Sequence, residues 1–165
     1  MLYNNLAYQL HLLGDPSAAT YIQKGIQLAQ ERGSLSHLPY LYSTSGEIAL
    51  AAGDLDGAEQ YFRDGLRLAE QIPLRERIAG ITANLGLVAK ARGDADLARE
   101  QLQKALRLVE PLGNHHLEVR IRIWLAPLLP AQDARTCLNS ARVLAEQDSL
   151  HGLLDEIDQV EKGLL

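Results

Sequence analysis

Apolar residues recur at every third or fourth position along most of the chain. Between residues 55 and 71 they fall at Ala58, Phe62, Leu66 and Ala69, with mostly polar side chains between them. That spacing places the apolar side chains on one face of an α-helix. The same periodicity predicts helices over residues 2–13, 16–32, 36–52, 55–71, 74–92, 95–111, 115–129, 131–147 and 150–164.

This helical pattern repeats at an interval of about forty residues. The segment GDLDGAEQYFRDGLRLAE, which begins at Gly53, returns as GDADLAREQLQKALRLVE at Gly93. An earlier copy begins at Gly14, and a degenerate fourth copy, DARTCLNSARVLAEQ, begins at Asp133. In the first three copies the Gly is expected to end one helix and the following Asp to cap the next. Each unit therefore predicts a pair of helices.

Small residues recur where the two helices of each pair are expected to cross. The first helices carry Ala7, Gly46, Gly86 and Ala126, and the second helices carry Ala19 or Ala18, Ala58, Ala98 and Ala134. A single pair leaves an apolar face uncovered, so neighbouring pairs must stack on one another.

The chain is thus predicted to form one domain, residues 1–165, with helix-pair repeats over approximately 1–33, 34–72, 73–112 and 113–148. A final helix over 149–165 is expected to cover the last repeat. Leu2, Leu6, Leu10 and Leu13 of the first helix meet no preceding helix. We therefore expect either that the chain is a fragment of a longer array or that this helix pairs with a partner or a second copy, as a homodimer.

The pattern resembles the tetratricopeptide (TPR) family over nearly the whole chain. The residues that carry the resemblance are NLGLVAKARGDADLAREQLQKAL (84–106) and SGEIALAAGDLDGAEQYFRDGL (45–66). The repeat interval exceeds the usual 34 residues. In this interval and in links such as ERGSLSHLPYLYST, the chain is similar to the TPR arrays of MalT-like bacterial transcriptional regulators. In those proteins the array follows a nucleotide-binding module. The resemblance implies an all-α fold: a right-handed α-α superhelix of about four helix pairs plus a C-terminal capping helix.

In such a superhelix the first helix of each pair lines a concave groove. Repeat alignment identifies nine principal candidates for binding residues: Asn5, Tyr8, Thr44, Glu47, Asn84, Leu87, Lys90, Arg120 and Trp124. It also places Asn4, His11, Leu50 and Ile123 on the groove face. The resemblance implies that Asn5 and Asn84 hold a peptide backbone or a terminal carboxylate. The alternative is that each satisfies a neighbouring backbone group. Only Lys90 and Arg120 could supply positive charge, so a carboxylate clamp for chaperone tails is not expected.

Three side chains have two possible interpretations each. Trp124 is either an interface anchor or a core residue of the apolar run IRIWLAPLL. Arg120 and Arg122 face either an acidic partner or solvent.

Charge and composition exclude several functions. The net charge is −5, which argues against direct nucleic-acid binding by this segment. Cys137 is the only cysteine, so an intrachain disulfide is impossible and a reducing, cytoplasmic location is expected. No apolar run approaches the roughly 20 residues that cross a bilayer, so no membrane contact is expected.

The chemistry of a catalytic or metal site is missing from the sequence. The Gly-Asp pairs lack the Lys-Ser/Thr of a phosphate-binding loop. His115 and His116 are adjacent, do not share a helix face and are expected in an exposed loop between repeats. Cys137 falls in a buried stripe, as an inert thiol. We therefore expect no enzyme activity, no cofactor and no metal site.

A groove built from repeated helices predicts recognition of a peptide or a partner protein. The leading hypothesis is a protein–protein interaction scaffold within a larger bacterial regulatory protein, where it senses an inducer, an inhibitor protein or a neighbouring domain. Two alternatives remain open: a free-standing adaptor, and a structural or self-associating spacer array with no specific groove ligand.

Overall fold

The computed structural model describes residues 1–72 and 74–164, which form an all-α solenoid of stacked helix pairs. Helices α1 to α8 make four consecutive antiparallel pairs, and α9 packs on the last of them. The bounds are α1 Leu2–Leu12, α2 Ser17–Glu31, α3 Leu38–Ala51, α4 Leu55–Gln71, α5 Arg75–Ala91, α6 Ala95–Val109, α7 His115–Leu125, α8 Ala131–Gln147 and α9 His151–Gly163. Short 3₁₀ turns lie at Leu35–His37, Glu110–Leu112 and Ala126–Leu128.

The Gly-Asp pairs form the tight turns within the first three helix pairs, as the sequence predicts. Gly53 and Gly93 adopt the left-handed conformation, with φ of 79° and 82°, which glycine reaches without steric cost. The carboxylates of Asp54 and Asp94 accept hydrogen bonds from backbone N–H groups three residues on, at 2.9 and 3.0 Å. Asp15 accepts one from the residue two positions on, at 2.8 Å. Asp54 and Asp94 thus cap their helices, whereas Asp15 lies one residue before Pro16, the N-cap residue of α2.

Large side chains of the second helices fit against glycines of the first helices. A Cβ atom added to Gly46 would lie 2.4 Å from Cε1 of Phe62, and one added to Gly86 would lie 2.9 Å from Cγ of Leu102. The alanines predicted at these crossings are also buried, and on α2 the buried residue is Ala18, whereas Ala19 is exposed. The small residues therefore set how closely the paired helices approach.

Successive pairs also pack with a large side chain against a glycine. A Cβ atom added to Gly65 of α4 would lie 3.3 Å from Cδ1 of Ile81 on α5, and Ile81 is fully buried. At the far end, Leu153 and Ile157 of α9 are buried in one cluster with alanines of α8. Successive hydrophobic clusters thus lie between the helices along the stack, and the first helices are held side by side.

Several predicted helix bounds need correction. Helix α6 ends at Val109 rather than at 111, and α7 ends at Leu125 rather than at 129. Pro111 and Pro127 fall in the 3₁₀ turns that follow, because a proline has no N–H group to donate to the preceding turn. The other bounds differ by two residues or fewer. The predicted repeat boundary at residue 73 and the predicted last residue, 165, lie outside the described residues.

Candidate functional site

Helices α1, α3, α5 and α7 enclose a concave groove with a volume of about 750 Å³. Its lining side chains come from these four first helices and from Asn114, which caps α7. The stacking described above places the four helices side by side, so their exposed faces form one surface. That volume is within the range of protein ligand sites, about 300–1,000 Å³.

The structure brings most of the predicted site residues together on this surface. Eight of the nine principal candidates line the groove: Asn5, Tyr8, Thr44, Glu47, Asn84, Leu87, Arg120 and Trp124. Asn4, His11 and Leu50 line it as well.

Two predicted residues lie elsewhere. Lys90 is exposed in the last turn of α5 and does not line the groove. Ile123 is 4% exposed and packs in the core with Val119 and Leu138. In α7 the groove-facing register is Arg120 and Trp124, four residues apart, and Ile123 is rotated from that face by about 100°, the angle between successive helical residues.

Hydrogen bonds between neighbouring first helices tie the floor of the groove together. Thr44 Oγ1 donates to Asn4 Oδ1 at 3.0 Å, which joins α3 to α1. Glu47 Oε1 accepts from Asn84 Nδ2 at 3.1 Å and from Ser43 Oγ at 3.3 Å, which joins α5 to α3. Asn84, which is 8% exposed, therefore bonds a side-chain carboxylate rather than the neighbouring backbone group that the sequence left as an alternative.

Two arginines line the groove, and each is stacked on an aromatic ring. The guanidinium carbon of Arg77 lies 4.5 Å from the ring centroid of Tyr40, and that of Arg120 lies 4.7 Å from the ring centroid of Trp124. Cation–π contacts of this kind hold a guanidinium in a fixed orientation. The groove therefore presents two positive charges in defined places.

Sequence reasoning missed Arg77, Tyr40 and Gly80 as groove residues. Repeat alignment could have identified Tyr40 and Gly80, because both occupy the same repeat position as Arg120, which was predicted to line the groove. Arg77 lies one helical turn earlier, and its stacking on Tyr40 joins two repeats, so no pattern within one repeat reveals it.

Trp124 lies at the boundary between the core and the groove. Its side chain is partly buried and packs against the core clusters on both sides of α7, while the rest lines the groove. It therefore connects the core of the fourth repeat to the groove surface.

Arg122 does not face solvent, contrary to the solvated face weighed from the sequence. Its side chain is 16% exposed, and its Nη2 lies 2.7 Å from Glu118 Oε1 and 2.9 Å from Glu110 Oε1. Burial lowers the pKa of Arg122, but the hydrogen bond and charge of Glu118 raise it more, so its pKa lies above the ordinary value. This ion pair is part of the structure of the fourth repeat and lies away from the groove lining.

The remaining reactive side chains have structural contacts. Burial raises the pKa of the Cys137 thiol, which keeps it protonated and weakly nucleophilic. The expectation that His115 and His116 lie in a loop between repeats is wrong, because both belong to the first turn of α7. Nδ1 of His115 lies 2.9 Å from Asp148 Oδ2, and His116 lines the groove. Within residues 1–72 and 74–164, no group of three His, Cys, Asp or Glu side chains is arranged to hold a metal ion. No helix in that part of the chain is long and apolar enough to span a bilayer.

The match to a protein-family model supports the repeat assignment. Residues 79–104 match the family model of the tetratricopeptide repeat, and they cover most of α5, the turn at Gly93 and the first ten residues of α6. No curated protein matches the chain. Among solved structures, the crystal structure of BtubC (BKLC) from P. vanneervenii is similar with a TM-score of 0.42 and 13% identity, over 98% of this chain and 87% of that chain.

The family match has a functional consequence at a coarse level. Tetratricopeptide repeats are generally non-enzymatic and mediate the binding of protein partners. The match therefore supports a role as a protein–protein interaction scaffold.

Proposed function

We propose that the groove between α1, α3, α5 and α7 binds an extended segment or a helix of a partner protein. The observation that carries this proposal is the convergence of side chains from four separate helices on one concave surface. No single repeat supplies the groove, so the stacked fold itself creates the surface.

The chemistry of the lining suits a polypeptide. Hydrogen-bonding groups such as Asn5 and Glu47 alternate with the apolar side chains of Leu50, Leu87 and Trp124. Neighbouring packed helices lie roughly 10 Å apart, so the path from α1 to α7 is about 30 Å long. An extended chain covers that path with about nine residues at roughly 3.3 Å per residue. The groove thus matches a short linear segment in length and in polarity.

A selection of displayed random dodecapeptides tests the proposal, because twelve residues exceed the length of the groove. The informative variant is Leu87→Arg, which places a charged side chain on the groove surface. Leu97→Arg is the matched control, because Leu97 is 42% exposed on α6 and lies outside the groove. We expect selected peptides to bind the wild type and the control with similar affinity and to lose at least about tenfold on Leu87→Arg. Peptides that bind both variants equally would contradict the proposal.

We further propose that this scaffold is the interaction or sensor region of a larger cytoplasmic bacterial regulator. The features that support this are the interval of about forty residues and the long helices, with 17 residues in each of α4, α5 and α8. An immunoblot of the source cells tests it. A band several times heavier than 18.2 kDa is expected, and a band at that mass would favour a free-standing adaptor instead.

Self-association through α1 is a second candidate function that one observation favours. Leu2, Leu6 and Leu13 are 80%, 39% and 81% exposed, whereas Ile81, which aligns with Leu2, is fully buried against the preceding pair. The helix Leu2–Leu12 contains no Asp, Glu, Lys or Arg, so two copies can approach without charge repulsion. Light scattering should show a dimer that Leu2→Ser with Leu6→Ser converts to a monomer. A monomeric wild type would exclude this candidate.

A further inference from the structure

The contact between the first two helix pairs places a leucine on a glycine. Leu41 of α3 is buried against Gly25 of α2, where an added Cβ atom would lie 2.7 Å from Cδ2 of Leu41. The next contact along the stack repeats this arrangement, with Ile81 of α5 against Gly65 of α4. Because glycine has no side chain, each of these second helices offers a socket for a large side chain of the pair that follows.

Two glutamines of α2 complete the same contact. Gln30 Nε2 donates a hydrogen bond to the Tyr42 hydroxyl at 3.4 Å, and Gln23 Nε2 donates one to the Tyr61 hydroxyl at 2.8 Å. The two tyrosine rings are stacked, with their centroids 6.3 Å apart and an angle of 29° between the ring planes. The glutamines lie about two helical turns apart, so one face of α2 carries both donors.

The first repeat presents the same set of side chains at the α1 end of the stack. Repeat alignment places Leu2, Tyr3 and Tyr21 at the positions of the leucine and the two tyrosines of the second repeat. The rings of Tyr3 and Tyr21 are stacked with their centroids 6.5 Å apart and an interplanar angle of 28°, almost the geometry of their counterparts. Leu6 lies one turn after Leu2 on α1. We call Leu2, Tyr3, Leu6 and Tyr21 the end face.

The end face lacks the contacts that its counterparts have. Leu2 is exposed, whereas its counterpart Leu41 is buried. Within residues 1–72 and 74–164, neither the Tyr3 hydroxyl nor the Tyr21 hydroxyl receives a hydrogen bond like those of the second repeat. The two rings nevertheless keep the stacked arrangement. The surface is therefore formed in advance of any partner, which lowers the entropic cost of binding.

A second copy of the chain does not supply the matching helix. The spacing Gln-x-Gly-x-x-x-x-Gln occurs once in the sequence, at residues 23–30, and the second repeat already covers it. Helix α1 of a second copy would bring leucines against leucines without a socket, because Leu2–Leu12 contains no glycine. A helix of a different protein therefore fits the end face better than a second copy does.

We infer that the end face binds an amphipathic helix of a partner protein that carries the spacing Gln-x-Gly-x-x-x-x-Gln. The glycine of that helix receives Leu2, and its two glutamines donate hydrogen bonds to the hydroxyls of Tyr21 and Tyr3, as α2 does for the second repeat. The helix Leu2–Leu12 contains no Asp, Glu, Lys or Arg, so the docking face of the partner is uncharged. None of the end-face residues lines the groove, so this surface goes beyond the proposed function and does not depend on it.

The α2 sequence itself is the probe, because it carries the spacing. A fluorescein-labelled peptide of residues 17–31 is titrated with the full chain and followed by fluorescence anisotropy. A matched peptide carries Gly25→Leu, which fills the socket but makes the peptide more apolar and more helical. We expect saturable binding of the first peptide and at least about tenfold weaker binding of the second, because overpacking against Leu2 outweighs those gains. Equal or tighter binding of the Gly25→Leu peptide would overturn the inference.

Variants of the chain locate the bound peptide. Leu2→Arg should abolish binding, whereas Leu35→Arg, at another exposed leucine, should leave it unchanged. Tyr3→Phe with Tyr21→Phe removes only two hydroxyls and should weaken binding at least about fivefold, and Tyr8→Phe, in the groove, should not. Binding that survives Leu2→Arg would show that the peptide had displaced α2 or bound elsewhere, and the end face would then not be its site.

Light scattering with excess peptide separates a partner helix from a second copy. We expect a complex of one chain with one peptide, because the peptide covers the leucines through which α1 would self-associate. A dimer that excess peptide leaves intact would place a second copy on the end face and would contradict the inference. The groove proposal is tested separately by the dodecapeptide selection, so failure of one proposal leaves the other in place.

Discussion

Replacing Gly46 by alanine should destabilise the solenoid, whereas the same replacement at Gly80 should stabilise it. Both glycines lie inside first helices, and neither has a positive φ. In each case the helix gains about 1 kcal/mol from the higher helix propensity of alanine. The difference must therefore come from what the new methyl group meets.

At Gly46 the methyl group meets the ring of Phe62. The added Cβ atom would lie 2.4, 2.6 and 2.7 Å from three ring carbons, and the ring is fully buried. The ring therefore has no free space into which it can move, and the helix pair must separate. Overpacking of this kind costs about 1–3 kcal/mol, and so severe a clash belongs at or beyond the upper limit. After the propensity gain, we expect a net loss of about 2 kcal/mol for Gly46→Ala and a net gain of about 1 kcal/mol for Gly80→Ala.

Urea unfolding followed by circular dichroism measures both values under the same conditions. With an m-value of about 2 kcal/mol/M, the midpoint should fall by about 1 M for Gly46→Ala and rise by about 0.5 M for Gly80→Ala. Midpoint shifts of the same sign in the two variants would refute the reasoning. Two rises would show that helix propensity alone decides the outcome, and two falls would show that the methyl group at position 80 is not accommodated. A lower m-value in Gly46→Ala would instead indicate that the repeats no longer unfold together.

Three further predictions concern single contacts. Ser149 has a φ of 56° at the end of α8, so Ser149→Gly should raise the unfolding free energy by about 0.5–1 kcal/mol in urea. Glu118→Gln should lower it by about 1–3 kcal/mol, because the buried guanidinium of Arg122 loses its closest counter-charge; no change would mean that Glu110 compensates fully. Hydrogen bonds from Arg92 and Arg63 hold the pKa of Glu59 below its ordinary value of 4.5. The charged carboxylate therefore stabilises the fold above that value, and the advantage over Glu59→Gln should disappear as the pH falls through the lowered pKa; an advantage that persists in acid would contradict this.

Much of the fold is encoded in short-range signals that a single sequence reveals. The Gly-Asp pairs predict the turns because few other residues combine a left-handed turn with a helix cap. The apolar spacing around Phe62 predicts α4 at its observed bounds of 55 and 71. The prediction was poorer at Pro111 and Pro127, where the apolar pattern continues after the helix hydrogen bonding has ended.

The residues of the groove were harder to predict than the helices. Repeat alignment identifies the face of a helix, and that was sufficient to place residues such as Thr44 and Leu87 on the concave surface. It does not show how far a side chain extends or which neighbouring repeat it touches. Lys90 and Ile123 were therefore misplaced, and the stacking of Arg77 on a tyrosine of the preceding repeat went unseen.

Buried polar contacts between repeats are the feature of the structure that is hardest to predict from the sequence. The bond between Asn84 and Glu47 joins residues 37 positions apart, and the partners occupy different positions in their repeats. An asparagine in this register is compatible with a ligand contact, a backbone contact or a side-chain contact. Only the relative placement of α3 and α5 decides among them.

The most direct test of the central claim is an NMR footprint of a selected dodecapeptide on the isotopically labelled chain. The account predicts that backbone amide shifts concentrate on α1, α3, α5 and α7, with the largest changes near Glu47, Asn84 and Trp124. Shifts that concentrate on α2, α4, α6 and α8 would contradict it, because they would place the binding surface on the convex side of the solenoid.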